Sequence, residues 1–139
     1  MPRNVEIKAR VADLDAVRRC VETLSDTPVE ILDQRDTFFV VPDGRLKLRE
    51  LGPDAGELIL YRRPDEMGPK LSEYMLSRSS EPETLLALLS SALEVRGVVL
   101  KRRFLYRMGR TRIHLDDVEG LGSFIELEVV LEDEQPPEE

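Results

Sequence analysis

Polar and apolar residues alternate with a period of two over residues 3–11. Asn4, Glu6, Lys8 and Arg10 share one face, and Val5, Ile7, Ala9 and Val11 share the other, which predicts a strand. The period then changes. Behind Asp13, a good N-cap, Leu14, Val17, Val21 and Leu24 recur at helical spacing. Residues 29–41 concentrate strand formers, among them Ile31, Thr37, Phe38, Phe39, Val40 and Val41. Pro42-Asp43-Gly44 reads as a turn, Arg45-Leu46-Lys47-Leu48-Arg49 alternates strictly, and Gly52-Pro53-Asp54-Ala55-Gly56 reads as a second turn. A strand from Leu58 to Arg63 ends at Pro64, and a weaker strand covers 70–78.

Ser80-Glu81-Pro82-Glu83 has the form of a capping box ahead of an apolar helix that runs through Leu93. Three more strands follow, over about 98–107, 110–117 and 123–131, separated by Met108-Gly109 and Glu119-Gly120-Leu121-Gly122. The expectation is an antiparallel α+β domain of eight strands and two helices, and eight strands suffice to close a barrel. No repeat or linker divides residues 1–131, so they read as one domain. Residues 132–139 form an acidic tail that reads as disordered, or as the opening of a segment that has been cut off.

The charged faces are segregated by sign. Arg45, Lys47 and Arg49 share one strand face, Lys101 and Arg103 another, and Glu126 and Glu128 a third. Arg112, His114 and Asp116 lie on a mixed face. An amphipathic sheet with its charges in water accounts for the alternation, but solvated faces usually mix signs, and like charges two apart repel. A barrel with its polar faces inward sets a basic wall against an acidic one. Such a space suits a polyanion together with a divalent cation. Glu126 and Glu128 project to the same side and can grip one hard ion. Glu6 and Asp116 bring the candidate oxygen ligands to four, a set suited to Mg²⁺ or Mn²⁺ rather than Zn²⁺.

Composition narrows the partners. The 139 residues carry a net charge of −8, which argues against a nucleic-acid binder, and no apolar stretch is long enough to span a membrane. Removing the five acids of Leu131–Glu139 brings the charge from −8 to −3, so the body is nearly balanced. The single cysteine, Cys20, excludes an internal disulfide and is expected to act as a small core residue. The N-terminus has no signal-peptide pattern, so the cytoplasm is the default location. The sequence leaves monomer and homodimer both open.

Together these segments resemble a known family. Arg3-Asn4-Val5-Glu6-Ile7-Lys8-Ala9-Arg10 resembles the ExExK signature of the CYTH domain, or triphosphate tunnel metalloenzymes. The resemblance continues through Asp36-Thr37-Phe38-Phe39, Arg45-Leu46-Lys47-Leu48-Arg49-Glu50, Tyr61-Arg62-Arg63-Pro64, Lys101-Arg102-Arg103, His114-Leu115-Asp116 and Phe124-Ile125-Glu126-Leu127-Glu128. It covers about residues 3–131 and is strongest toward the class IV adenylyl cyclase-like branch, with thiamine triphosphatases and tripolyphosphatases as relatives.

The resemblance implies an eight-stranded antiparallel tunnel that binds a triphosphate-containing small molecule with Mg²⁺ or Mn²⁺. Carried over by position, Glu6, Asp116, Glu126 and Glu128 are the metal ligands. Lys8, Lys47, Arg49, Arg62, Lys101 and Arg103 hold phosphates, with catalytic roles for Lys8, Arg49 and Lys101. Arg62 competes with adjacent Arg63, since a slip of one residue flips the face. Two departures stand out. Asn4 occupies the position of the first Glu in ExExK, which removes one charge from the ligand set. The family usually continues past the eighth strand into a helix, whereas this sequence stops in an acidic tail, as a truncated chain would.

Hydrolysis of a triphosphate is the leading activity, because it demands no base recognition. A class IV-type cyclase making cyclic AMP and pyrophosphate from ATP is one alternative. A non-catalytic polyphosphate or nucleotide binder, which Asn4 favours, is the other. His114 reads as a hydrogen-bonded wall residue or a general base. Arg112 reads as a counter-charge for Asp116. Tyr61 and Tyr74 read as packing residues or as stacking surfaces for an organic group, and Lys70 as a candidate addition to the basic wall. Basic residues crowded into one cavity are expected to cost stability when no anion is bound.

Overall fold

The computed structural model describes residues 3–62 and 70–131. Eight strands and two helices follow in the order β1 (Arg3–Val11), α1 (Leu14–Glu22), β2 (Glu30–Phe39), β3 (Arg45–Gly52), β4 (Ala55–Arg62), β5 (Lys70–Ser79), α2 (Pro82–Ala92), β6 (Val95–Met108), β7 (Thr111–Val118) and β8 (Gly122–Leu131). The strands close into an antiparallel barrel in the order β1-β5-β4-β3-β2-β6-β7-β8. The expected eight-stranded antiparallel barrel with flanking helices is therefore the observed fold. Arg63, Pro64 and the acidic tail lie outside the described residues.

Closure depends on β6, which is longer than the sequence pattern predicts and begins at Val95 rather than near 98. Its first part pairs with β2, from Phe39↔Val95 to Glu30↔Leu105. Its second pairs with β7, from Lys101↔Val118 to Met108↔Thr111. One strand thus joins the β2–β5 half of the barrel to the β7–β8 half. The extra residues at its start are Val95, Arg96 and Gly97, where a glycine weakens the strand signal.

Alternation assigns the faces. One apolar cluster lies outside the barrel, where α1 covers the outer face of β6 and β7. Val21 meets Phe104, Tyr106, Ile113 and Leu115, with Leu14, Val17, Val29 and Ile125 packed around them. Asp13 caps α1 as its carboxylate accepts from the Ala16 N–H at 3.1 Å. Arg18 stacks on the Phe104 ring with its guanidinium carbon 4.0 Å from the centroid, and Tyr106 bridges it to Glu22. Cys20 is exposed, contrary to its expected core role, because the buried stripe of α1 runs through Leu14, Val17 and Val21 and leaves Cys20 off it.

The capping box at the second helix does not form. Glu81 is the N-cap residue and makes no side-chain cap bond. Its backbone N–H instead donates to Ser79 Oγ at 3.1 Å, and Pro82 opens the helix. Pro82 is buried against Gly56 of β4. A Cβ on Gly56 would stand 2.7 Å from Pro82 Cβ, so only glycine lets the helix start lie this close to the sheet. Gly44 makes the turn before β3 with φ of +76°, where an added Cβ would meet the Tyr61 carbonyl at 2.9 Å.

Candidate active site

On β1, β2, β3, β6, β7 and β8 the polar face turns into the barrel. The ladders connect these inward residues across strands: Glu6 opposite Glu128, Lys8 opposite Glu126, Glu126 opposite His114, Glu128 opposite Arg112, Arg103 opposite Asp116, and Asp36 opposite Arg49. Period-two alternation on six strands thus gathers charges from distant parts of the chain into one interior.

One part of this interior is acidic. Glu6, Glu126 and Glu128 place carboxylate oxygens within 4.8 Å of one another. Lys8 Nζ lies 3.9 Å from Glu126, and the Arg112 guanidinium is paired with Glu128. Burial, then the charges of Glu126 and Glu6, push the Glu128 carboxyl up against the pull of Arg112. Three carboxylates this close repel one another, and a divalent cation would relieve that repulsion with all three as oxygen donors. Asn4, one step further along the inward face of β1, is buried, and its Oδ1 has no hydrogen-bond partner among the described residues. The donor set and this orphaned oxygen fit a hard divalent cation.

The neighbouring part is basic, and two aspartates organise it. Arg49 donates to both oxygens of Asp36 at 2.9 and 2.8 Å, while Lys47 and Lys101 stand 3.6 and 3.4 Å from the same carboxylate. Arg103 clamps Asp116 in the same way at 2.8 and 2.9 Å, with Lys101 3.9 Å away. Burial alone would raise both aspartates. The arginine hydrogen bonds and charges overcome it and hold Asp36 and Asp116 below the usual carboxylate range. The lysines move the other way. Burial, followed by the charges of nearby arginines, brings Lys47 down to about 7 and Lys101 down to about 8. Aromatic rings flank Lys47, whose Nζ lies 5.2 Å from the Tyr61 centroid and 5.7 Å from that of Phe38.

Most of the residues expected at the site meet here: Glu6, Lys8, Lys47, Arg49, Lys101, Arg103, Asp116, Glu126 and Glu128. Their assignment changes in places. Asp116 stands in the basic cluster, with both oxygens held by Arg103, and is not part of the carboxylate trio. Arg112 serves Glu128 rather than Asp116. Arg62 does not join the site. The β3–β4 register puts Tyr61, Ile59 and Glu57 on the face shared with Lys47 and Arg49, which turns Arg62 outward to Asp43 at 2.9 Å. Adjacent Arg63 lies outside the described residues. Lys70 pairs with Glu6 in the β1–β5 ladder.

His114 is buried but is not the hydrogen-bonded wall residue expected. Neither ring nitrogen has a partner among the described residues. Burial and the surrounding Arg103, Arg112, Arg49 and Lys101 hold the imidazole well below its usual pKa, which favours the neutral ring.

Sequence reasoning missed Asp36 as a site residue. The run Thr37-Phe38-Phe39-Val40-Val41 after it hides the alternation of β2. The available signal was a need for charge balance, since two basic strand faces call for an acid between them.

The CYTH domain family pattern matches residues 2–139, and the chain belongs to the CYTH domain family. Among its relatives is the adenylate cyclase CyaB of Aeromonas hydrophila, 24% identical over 138 residues, which span 94% of this chain and 70% of that protein. The solved structure of the PH1012 protein from Pyrococcus horikoshii OT3 superposes with a TM-score of 0.84 at 25% identity, covering 97% of this chain and 81% of that one. HpAC1 from Hippeastrum, whose structure is described as revealing a dominant triphosphatase activity, shares the fold. Its TM-score is 0.69 at 13% identity, over 99% of this chain and 81% of that one. No helix among the described residues is long and apolar enough to cross a membrane.

Proposed function

We propose that this chain is a divalent-cation-dependent enzyme that hydrolyses a triphosphate. The observation that carries the reading is the pairing, in one barrel interior, of a carboxylate trio with a basic cluster. Glu6, Glu126 and Glu128 face a group of Lys47, Arg49, Lys101 and Arg103 ordered by Asp36 and Asp116. Phosphoryl transfer asks little covalent chemistry of a protein. It needs positioned phosphates, neutralised charge and an aligned nucleophile. Arg49 and Arg103 are held rigid by their aspartates and present fixed cationic edges. Lys47 and Lys101, whose pKa values burial lowers, would gain proton affinity beside a bound anion. Lys8, the most exposed of these bases, stands 3.9 Å from Glu126. Glu6, Glu126 and Glu128 would hold Mg²⁺ or Mn²⁺, which supplies positive charge to phosphate oxygens when bound.

A second reading, cyclisation of ATP to cyclic AMP and pyrophosphate, draws on the cyclase relative and on one feature of the interior. Phe38 and Tyr61 beside Lys47 offer a ring-sized face next to a phosphate-binding cation. A third reading, binding without turnover, rests on Asn4 in place of a carboxylate. One experiment separates the three. ATP, thiamine triphosphate and tripolyphosphate are each incubated with Mg²⁺ or Mn²⁺, and phosphate, pyrophosphate and cyclic nucleotide are followed. Orthophosphate release supports hydrolysis. Cyclic AMP with pyrophosphate supports cyclisation. Binding with no product leaves the binder, and neither binding nor product overturns all three.

A further inference from the structure

His114 is the chain's one histidine. It enters the barrel from β7, opposite Glu126 in the ladder, and is only 7% exposed. A histidine used as wall filler normally hydrogen-bonds at least one nitrogen, since an unmade bond in a buried site is costly. Here both nitrogens lack a partner among the described residues, and Nε2 stands 3.9 Å from Glu128 Oε1. Two donors sharing one ion, with bonds of about 2.1 Å, stand about 3.0 Å apart when adjacent and about 4.2 Å apart when opposite. The His114–Glu128 separation falls in that interval. Asn4 Oδ1, also buried and without a hydrogen-bond partner among the described residues, is a second orphaned donor on the inward face next to Glu6.

We propose that His114 contributes an imidazole nitrogen to the cation site formed by Glu6, Glu126 and Glu128, and that this donor biases the site toward Mn²⁺ over Mg²⁺. Imidazole is a good ligand for first-row transition ions, while Mg²⁺ favours oxygen throughout. The inference rests on the divalent-cation reading above and adds to it a determinant of which ion is taken.

The test is spectroscopic and needs no turnover. Because the chain has one histidine, ¹⁵N-histidine labelling of tag-free protein marks a single side chain. Mn²⁺-loaded protein is examined by electron spin echo envelope modulation. A ¹⁴N coupling in unlabelled protein, replaced by a ¹⁵N pattern in labelled protein, is the expected result. In parallel, calorimetry of His114→Leu should show Mn²⁺ affinity falling on the order of tenfold or more, with Mg²⁺ affinity falling less. Bound Mn²⁺ without histidine coupling overturns the proposal while leaving the carboxylate site intact, provided Glu126→Gln abolishes that binding. An unchanged Mn²⁺-to-Mg²⁺ preference in His114→Leu also overturns it. If the wild-type chain binds no Mn²⁺ at all, the cation reading fails and this proposal with it. Should His114→Leu not fold, the isotope experiment on the native chain decides alone.

Discussion

Arg49 donates through Nε and Nη2 to the two oxygens of Asp36, at 2.9 and 2.8 Å, with both side chains buried in the barrel. The basic wall is therefore not an array of bare cations waiting for an anion. Asp36 neutralises part of it from within, and Asp116 does the same for Arg103. This reverses the simple expectation that removing an arginine relieves a crowded cavity. Removing one partner of a buried pair strands the other charge.

Arg49→Ala should therefore destabilise the ligand-free chain by about 3–5 kcal/mol. Asp36→Asn should also destabilise it, since Arg49, Lys47 and Lys101 lose a common counter-ion. The pH dependence follows from the lowered pKa of Asp36. Its folded value lies below its unfolded value, so its contribution is complete above the unfolded pKa. It is lost as pH falls from about 4 toward the folded value. Urea unfolding at pH 7 and pH 3 should show a steep loss for the parent and a shallower one for Asp36→Asn. An Arg49→Ala chain that unfolds at the parental urea concentration would show that the pair contributes little.

Lys47 gives a dependence of opposite sign. Its folded pKa of about 7 lies below the unfolded value of about 10.4, so the unfolded chain binds more protons between these limits. The ligand-free protein should gain stability from this group as pH rises from 7 to 10. Lys47→Met should flatten that slope and leave the chain at least as stable near neutrality. The measurement is a set of urea midpoints across pH 6–10 for both chains. Parallel curves would mean that Lys47 is charged throughout.

Much of this arrangement was legible in the sequence because a strand's side chains alternate strictly. Glu6 with Lys8, Lys47 with Arg49, Lys101 with Arg103, and Glu126 with Glu128 each declared a shared face before any fold was known. What alternation cannot give is register between strands. That Asp116 meets Arg103 rather than the glutamates, and that Arg112 meets Glu128, depends on which residues stand opposite in the β6–β7–β8 ladders. Arg62 illustrates the same limit, because its direction is set by pairing with β3. Cys20 was misplaced for another reason. Its residue type suggested burial, while the packing of α1 through Val17 and Val21 left it outside.

The carboxylate trio makes a further prediction. Mg²⁺ or Mn²⁺ should stabilise the parent, and Glu126→Gln should lose that stabilisation together with any cation-dependent turnover, while the cation-free fold persists. Asn4→Glu should act in reverse. A fourth carboxylate beside Glu6 adds repulsion without a cation and another donor with one, so its melting temperature should start lower and rise further on adding Mn²⁺. Thermal melts with and without the ion read both effects. An Asn4→Glu chain whose response to Mn²⁺ matches the parent would place that residue outside the site.

The last prediction concerns the anion. A ligand that binds only the folded state adds RT ln(1 + [L]/Kd), about 2.7 kcal/mol at a hundredfold excess over Kd. For a domain of this size that is a melting shift of several degrees or more. On the triphosphate reading, tripolyphosphate should engage more of Lys47, Arg49, Lys101 and Arg103 than orthophosphate does, because it is longer. At equal concentration tripolyphosphate should therefore give much the larger shift. Lys47→Met and Lys101→Met are the informative variants, because they remove a phosphate contact without stranding an aspartate: Arg49 and Arg103 still hold Asp36 and Asp116. Each should shrink the tripolyphosphate shift while leaving the ligand-free melting point unchanged or higher. The shift should also weaken from pH 6 to pH 9 in the parent, as Lys47 and Lys101 lose protons that the anion must then recruit. If millimolar tripolyphosphate and ATP leave melting unchanged with and without Mn²⁺, the basic cluster does not serve a triphosphate, and both the catalytic and the binding readings fall.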